Sequence, residues 1–553
     1  MFMKRIIQWP LCLLLVFAVA TVMCFSSCSD DKEEEPQNEI SPEEAERNEY
    51  FKFDASQIEV VEESTFNLLE EMQKRIADLS DANSDEDVAM LEYYKGKYDS
   101  LQAYVKHVTD SILAVDPGNS TDAITGQILE MGRSVVYYKD IGADGKEKVM
   151  SLLAVYPTRL GFDINARHII LGCHYTVTDD KEKPTNALGM GTSDACLLAA
   201  EWTAWRNYLV IMPDYEGYGA SRNATHPYLN REVQARQTMK ALLVGMEWFR
   251  GPHDEDFDSG MKIVIEGFSQ GGAVAAATYR YWLEHLSEKW ANSLPIAGAV
   301  CADGPYDPLA TLQYYCKTNW LKMPVAPALM LKGMCDTDPD AIAANLEVTD
   351  FFSADFCNSG IFERISSKEH PTWFCEQALG DHPGSMTVRD NQVSAQDAFR
   401  KETYESFLNG TLPEYKPAKN EVFNQKKASE VESLRNKLKV LKHCLEKNSL
   451  HYDFNADQVY RKVSLGSLSG KVKINPKFTF FHGGSDTVVP YDNVQSVSDK
   501  WGINSIRLIK CIDEGDHGDY GKLFFLRVHD KYVDEILFDR WYTGYYTYNS
   551  WFL

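Results

Sequence analysis

The sequence predicts an α/β fold: short apolar strands alternate with turns and helices, a helical insertion interrupts the core, and a helical region precedes it. Three observations carry that prediction. A β-branched run, Ile263-Val264-Ile265, passes through Glu266-Gly267-Phe268-Ser269-Gln270-Gly271 directly into the small residues Gly272-Ala273-Val274-Ala275, so a strand turns sharply into a helix. Similar apolar runs, at residues 167–172, 208–213, 296–304, 478–481 and 505–510, each lead into a loop. Between residues 304 and 478 lie about 170 residues, where connections in α/β units take ~2 to 6, so that stretch must build structure of its own.

Along the chain, the first segment sets an address. Lys4 and Arg5 precede a mostly apolar stretch from Ile6 to Phe25, broken by Pro10 and closed by Ser26-Ser27-Cys28, which together make a three-part signal peptide over residues 1–27. The Phe25-Ser26-Ser27-Cys28 end resembles a bacterial lipobox, with Phe25 standing where Leu is usual. That resemblance implies that Cys28 is lipidated and becomes the mature N-terminus, a membrane anchor of several acyl chains. Residues 28–40 follow as an acidic tether, Ser29-Asp30-Asp31-Lys32-Glu33-Glu34-Glu35-Pro36, too poor in apolar residues to fold. The tether is similar to the acidic signals that send some Gram-negative lipoproteins to the cell surface. The expected location is the cell envelope, lipid-anchored at the outer membrane, with the surface as a further destination. No later run reaches ~18 uninterrupted apolar residues, so no second crossing is expected.

Residues 41–120 are expected to be helical. Val60, Val61, Phe66, Leu68, Leu69, Met72, Ile76 and Leu79 recur at helical spacing, as do Met90, Leu91, Tyr94, Leu101, Tyr104, Val105 and Val108. Both stripes read as packing faces against the body. Asp116-Pro117-Gly118-Asn119-Ser120 ends the region, and the first part of the core, residues 121–307, opens with an antiparallel pair around residues 134–138 and 150–157. The strand at 167–172 leads into Cys173-His174-Tyr175-Thr176, and the strand at 208–213 into Asp214-Tyr215-Glu216-Gly217-Tyr218-Gly219-Ala220-Ser221, which reads as a structural turn.

The strand at 263–265 brings chemistry. A serine on a tight strand-to-helix turn holds its hydroxyl clear of the sheet, and the turn closes only if the residues two before and two after are glycine-sized, as Gly267 and Gly271 are. The next amide, Gln270, then stands free at a helix N-terminus, where it can donate to a developing oxyanion. A serine needs an imidazole to take its proton, and the imidazole needs a carboxylate to fix its tautomer. Downstream, the strand at 478–481 leads into His482-Gly483-Gly484-Ser485-Asp486, and the strand at 505–510 into Glu514-Gly515-Asp516-His517-Gly518-Asp519.

Serine, acid and histidine in that order, each just after a strand, resemble the α/β-hydrolase superfamily over roughly residues 130–540. The wording Pro213-Asp214-Tyr215, Gly217-Tyr218-Gly219 and His226-Pro227-Tyr228 is similar to its secretory lipase and esterase branch. The resemblance implies Ser269 as nucleophile, His517 as base and Asp486 as orienting acid. The amide of Gln270 and, from the loop after residue 172, that of Tyr175 are implied as oxyanion donors. The His-Gly-Gly-Gly wording of many esterases is absent, so Thr176 stays open beside Tyr175. His174 and His482 read as loop-orienting residues, and Asp303 and Asp307 as rival acids ranked behind Asp486.

The insertion, residues 308–470, is expected to cap the serine, as it does in lipase-like members. Leu434, Leu438, Leu441 and Leu445 share one helical face and read as a packing helix. Trp320, Met323, Met330, Phe351, Phe352, Phe362 and Trp373 are candidates to line an acyl or alcohol pocket. Residues 471–553 complete the core. A formal net charge of −25 repels polyanions at long range and speaks against nucleic acid or an anionic polymer as substrate, so no nucleic-acid partner is expected. Of 12 cysteines, Cys12 and Cys24 fall in the signal peptide and Cys28 at the lipobox; the rest show no C-x-x-C pair, so neither a zinc site nor a dense disulfide framework is expected, with one or two bridges open among Cys301, Cys316, Cys335, Cys357 and Cys375. The expected function is cleavage of a carboxylic ester on a small molecule, glycan or lipid, without metal or cofactor. A serine peptidase of the same fold and a non-catalytic surface binding protein are the alternatives.

Overall fold

The computed structural model describes residues 41–80, 85–115, 117–118, 120–121, 130–158, 168–186, 198–201, 203, 206–251, 260–417, 419, 422–465, 468–502, 504–511, 517 and 522–548. The chain divides into two compact units, residues 1–45 and 46–553. In the first, Ser41 and Glu44 exchange backbone-to-side-chain hydrogen bonds of 2.9 and 3.2 Å, a capping box that starts a helix. The signal peptide, Cys28 and the acidic tether lie outside the described residues.

The second unit is built on one sheet with ten described strands. These are β1 (Glu59–Asn67), β2 (Glu130–Ile141), β3 (Glu147–Pro157), β4 (Ile169–Cys173), β5 (Leu209–Pro213), β6 (Ile263–Phe268) and β7 (Ile296–Ala302). Two small hairpins in the insertion and its exit supply β8 (Val388–Arg389), β9 (Gln392–Val393), β10 (Tyr460–Leu465) and β11 (Leu468–Lys473), and the sheet resumes with β12 (Phe478–Gly483), β13 (Arg507–Cys511) and β14 (Gly544–Tyr548). Its order is β1-β2-β3-β5-β4-β6-β7-β12-β13-β14. The pairs from β1 to β5 run antiparallel and all those from β5 onward parallel.

The parallel strands read as continuous apolar runs because both faces are covered. On β6, Ile263 and Ile265 pack toward the helices Arg231–Arg250 and Gln270–Glu284, while Val264 and Phe268 pack toward the helix Lys522–Leu537. From β4 the chain steps to β5 on one side and to β6 on the other. That reversal is a topological switch point at the carboxyl ends of β4 and β6, the place where ligands sit in open α/β sheets.

Three expectations change. Residues 59–67 form an edge strand, not a helix: Val60 and Val61 are about 40% exposed, and Val-Val-Glu-Glu-Ser-Thr-Phe pairs with β2 because β-branched residues suit a half-covered edge. The helical stripes begin only with the helices Leu68–Ser80 and Asp85–Val115. The insertion does not end at residue 470, since the hairpin of β10 and β11 spans that point. The pocket role of the insertion's aromatics fails for most of them. Met330, Phe351 and Phe352 are at most 1% exposed inside the insertion's own core, Phe362 packs on Phe352 and Phe356, Trp320 donates to Gln392 at 2.6 Å, and Trp373 is 60% exposed. An insertion of this length must bury a core of its own, and its largest rings are spent there. The helix Gln425–Lys447 docks through Leu438, Leu441 and Leu445, as its periodicity requires.

Cys301, Cys316, Cys335, Cys357 and Cys375 are free thiols, as are Cys173 and Cys444. No described helix is long and apolar enough to cross a membrane.

Candidate active site

The turn after β6 is strained by design. Ser269 has φ 56° and ψ −124°, a conformation that costs a non-glycine residue ~1–3 kcal/mol. Its amide is tied to the carbonyl of Ala302 on β7 at 2.8 Å. A Cβ on Gly267 would lie 2.3 Å from the Gly271 carbonyl oxygen, and one on Gly271 would lie 2.0 Å from that of Cys173. Both obstacles are backbone and cannot turn aside. The glycines of Gly-x-Ser-x-Gly are therefore required by contact between the elbow, the following helix and the end of β4.

Three distant stretches meet above this turn. His517 Nε2 lies 2.7 Å from Ser269 Oγ, and His517 Nδ1 lies 2.6 Å from Asp486 Oδ2. Asp486 Oδ1 accepts from the amides of Val488 and Val489 at 2.9 and 2.8 Å. Four bonding positions on the carboxylate and imidazole are thus filled, which fixes the ring's orientation and its Nδ1–H tautomer. The Phe268 ring stacks on His517 with centroids 5.0 Å apart. Ser269, Asp486 and His517 are each at most 8% exposed, so water neither competes for these bonds nor screens them strongly.

The rivals are occupied elsewhere. Asp303, at φ 44°, accepts from the Gly483 amide at 2.7 Å, and burial raises its pKa. Asp307 caps the helix Pro308–Thr318 through the Ala310 amide. His174 Nδ1 donates to the Tyr175 carbonyl at 2.7 Å and its ring stacks on Tyr215; burial pushes its pKa down to about 4. His482 Nε2 donates to the Val489 carbonyl at 2.8 Å, inside the acid turn. Asp214 accepts from Ser151 at 2.6 Å and from Thr185, beneath Gly219, whose Cβ would strike its carboxylate, so the Asp214 turn is architecture.

Asp303, His482 and Asp486 have ligand atoms within 4.8 Å of one another, a spacing that could hold a metal ion. Asp486 has both oxygens engaged, Asp303 Oδ1 is on an amide, and His482 Nε2 is on a carbonyl, so hydrogen bonds already organise the trio.

The amides of Gln270 and Gly271 begin a helix and have no acceptor within it, so they present a partial positive charge beside Ser269. The Gln270 side chain is held away in a 2.8 Å bond to His226 Nε2, whose Nδ1 donates to the Glu216 carbonyl. The loop 174–178 leaves β4 against the helix start, since the Cys173 and His174 carbonyls both abut Gly271. Thr176 instead shares its hydroxyl with that of Tyr228 at 2.9 Å. Two supports escaped the sequence reading: the Gln270–His226 bond, and a buried pair of Glu266 on β6 with His529 on the helix Lys522–Leu537, 3.0 Å apart. The wording His226-Pro227-Tyr228 was the one available signal for the first; the second has none.

Among solved structures, the chain is similar to a rice cell wall degrading esterase, LipA, from Xanthomonas oryzae, with 18% identity, TM-score 0.51, and 77% of this chain and 95% of that one covered. It is also similar to a putative hydrolase from Legionella pneumophila, with 16% identity, TM-score 0.50, and 74% and 88% covered. No family model and no curated protein matches the sequence. The fold is that of the α/β-hydrolases.

Proposed function

We propose that this chain is a serine hydrolase that cleaves carboxylic esters through an acyl-enzyme. The observation that carries the proposal is the unbroken relay from Ser269 Oγ through His517 to Asp486 at a strained elbow. Structural frameworks do not need a buried serine at positive φ in line with an imidazole and a carboxylate; nucleophilic catalysis does.

In the reaction, Ser269 Oγ attacks the ester carbonyl carbon as His517 Nε2 takes its proton, and Asp486 stabilises the imidazolium. The carbonyl oxygen becomes an oxyanion facing the amides of Gln270 and Tyr175. The tetrahedral centre collapses, the C–O bond to the alcohol breaks, and His517 returns its proton to the departing oxygen. Water then repeats the sequence on the acyl-enzyme, releasing the acid and restoring Ser269. All groups needed are side chains and amides of this chain. The likeness to an esterase in fold is consistent with this reading, and the lipidated Cys28 would hold the enzyme at the outer membrane, where ester-bearing glycans and lipids are met.

The test is a chain-length series of nitrophenyl esters beside aminoacyl anilides, with the parent and Ser269→Ala proteins, and labelling by an organophosphonate. Ester turnover that disappears in Ser269→Ala, together with labelling of that serine, supports the proposal. Faster cleavage of the anilides moves the assignment to a peptidase, and no turnover of either class with no labelling removes it.

A further inference from the structure

A cleft of about 350 Å³ lies where the core segment 218–226 meets the insertion. Its wall carries three cations, Arg222, Lys332 and Lys368, no carboxylate, and the hydroxyls of Thr225 and Ser366. The chain as a whole carries a formal net charge of −25, so a wall of this sign runs against its composition. Two of the cations are balanced at the surface: Arg222 by Glu369 at 3.3 Å and Lys332 by Asp336 at 2.7 Å.

Lys368 is different. It is 8% exposed, and its ammonium donates to the carbonyls of Arg222 and Ala224, both at 2.6 Å, above the face of Tyr218 at 5.5 Å. Among the described residues no carboxylate lies within ion-pair distance of it and these two carbonyls are its hydrogen-bond acceptors, while the carboxylates of Asp180 and Glu216 act on it only from farther off. Burial lowers its pKa to about 8, which still leaves it largely charged at neutral pH. An ammonium withdrawn from water and held by neutral carbonyls, with no carboxylate paired to it among the described residues, is completed by an anion far better than by a neutral group. His226, also in the wall, holds the Gln270 side chain in a 2.8 Å hydrogen bond, which links the cleft to the residue after Ser269.

We propose that this cleft binds a small oxyanionic group, carboxylate or sulfate, carried by the substrate, with Lys368 as its direct partner and Arg222 and Lys332 as its surrounding field. Binding of the anion stands on the cleft alone; its being borne by the substrate rests on the esterase reading above.

The test has two arms. In the Ser269→Ala protein, calorimetric titration with inorganic sulfate and with glutarate should give saturable binding, absent for the neutral erythritol. Lys368→Met should weaken it about tenfold to a hundredfold, the scale of a lost charge-assisted hydrogen bond. Since Lys368 also braces two carbonyls, Lys332→Gln is the companion variant, at an already paired surface cation, and should weaken binding several-fold with unchanged unfolding. No saturable heat with either anion, or equal binding in both variants, overturns the site. In the parent enzyme, the ratio of kcat/KM for the nitrophenyl monoester of glutarate to that for nitrophenyl valerate should fall in Lys332→Gln. A ratio that does not move, with anion binding intact, overturns the substrate-borne claim and leaves a site for free ions. Absence of all ester turnover counts against the esterase reading and leaves the binding arm to decide.

Discussion

Asp486→Asn isolates one hydrogen atom of the proposed mechanism. The carboxylate accepts two amides on Oδ1, at 2.9 and 2.8 Å, and His517 on Oδ2, at 2.6 Å. An asparagine must leave its oxygen on the two amides, because the reverse orientation sets an NH2 against two N–H donors. Its nitrogen then faces His517 Nδ1, which can answer only by becoming an acceptor. The ring proton moves to Nε2, the atom that has to receive the Ser269 proton. The expected loss is about 10⁴-fold in kcat, or ~5.5 kcal/mol of barrier, with the geometry intact. Steady-state hydrolysis of a nitrophenyl ester measures it, and urea unfolding verifies the fold. Asp303 is the internal control: it lies within 4.8 Å of the same cluster but is bonded to the Gly483 amide, so Asp303→Asn should cost less than about tenfold. The assignment fails if Asp486→Asn keeps more than about a tenth of kcat, or if Asp303→Asn is the more damaged of the two.

Gly271→Ala should destabilise the protein by ~3 kcal/mol or more, since its Cβ meets the Cys173 carbonyl at 2.0 Å, whereas Gly96→Ala, with nothing within 4 Å in a helix, should stabilise by ~0.5–1 kcal/mol; a smaller cost at Gly271 than at Gly96 in urea titrations contradicts the packing argument. Burial lowers the pKa of His174 to about 4 and of His226 to about 3, below the ordinary ~6.5, so the stability their neutral rings contribute is full above that value and is lost as pH falls toward those values, on the order of 3 kcal/mol for His174 and 5 kcal/mol for His226. Asp214, raised to about 6 by burial, and Glu376, raised to about 8 by burial, work the other way as pH falls, so the account is read from one group at a time: between pH 7.5 and 4.5 His226→Gln should lose less unfolding free energy than the parent, by about 3 kcal/mol, and an equal change in the two refutes it. Mass spectrometry of the native N-terminus should find an acylated Cys28, and Cys28→Ala protein that stays membrane-bound sinks the anchor.

The central strands and the relay were legible because local chemistry determines them. Ile263-Val264-Ile265 can only be buried, Gly267 and Gly271 are demanded by backbone contact, and His517 and Asp486 follow strands whose apolar character is plain. The edges of the sheet were not. β1 was read as helix because Val60, Val61 and Phe66 fit a 3.6-residue period by accident, while its true partner, β2, lies about seventy residues on, and pairing partners leave no mark in periodicity. The Glu266–His529 pair was invisible for a similar reason: a glutamate in a strand and a histidine in a helix each look solvated until the helix Lys522–Leu537 is laid across β6.

The insertion yields the opposite lesson, because there the residue types were legible and their employment was not. Phe352 stacks on Phe356 and Phe399 at 4.5 and 5.1 Å, and all three are at most 1% exposed. Rings committed to that core hold the insertion in one shape and have no face left for a substrate. Phe352→Ala should therefore cost ~3–5 kcal/mol of stability and disturb all esters alike, rather than shift chain-length preference. Selectivity must then be written on the border, in side chains that belong to the core on one side and to the insertion on the other. Tyr315, on an insertion helix, donates its hydroxyl to the Val488 carbonyl in the acid turn at 2.5 Å, so the insertion touches the loop that aims Asp486. Tyr315→Phe should leave the fold in place, since the ring stays buried, while lowering kcat for every ester through a looser Asp486. A drop confined to long or bulky esters would mean that Tyr315 shapes the pocket instead of bracing the acid.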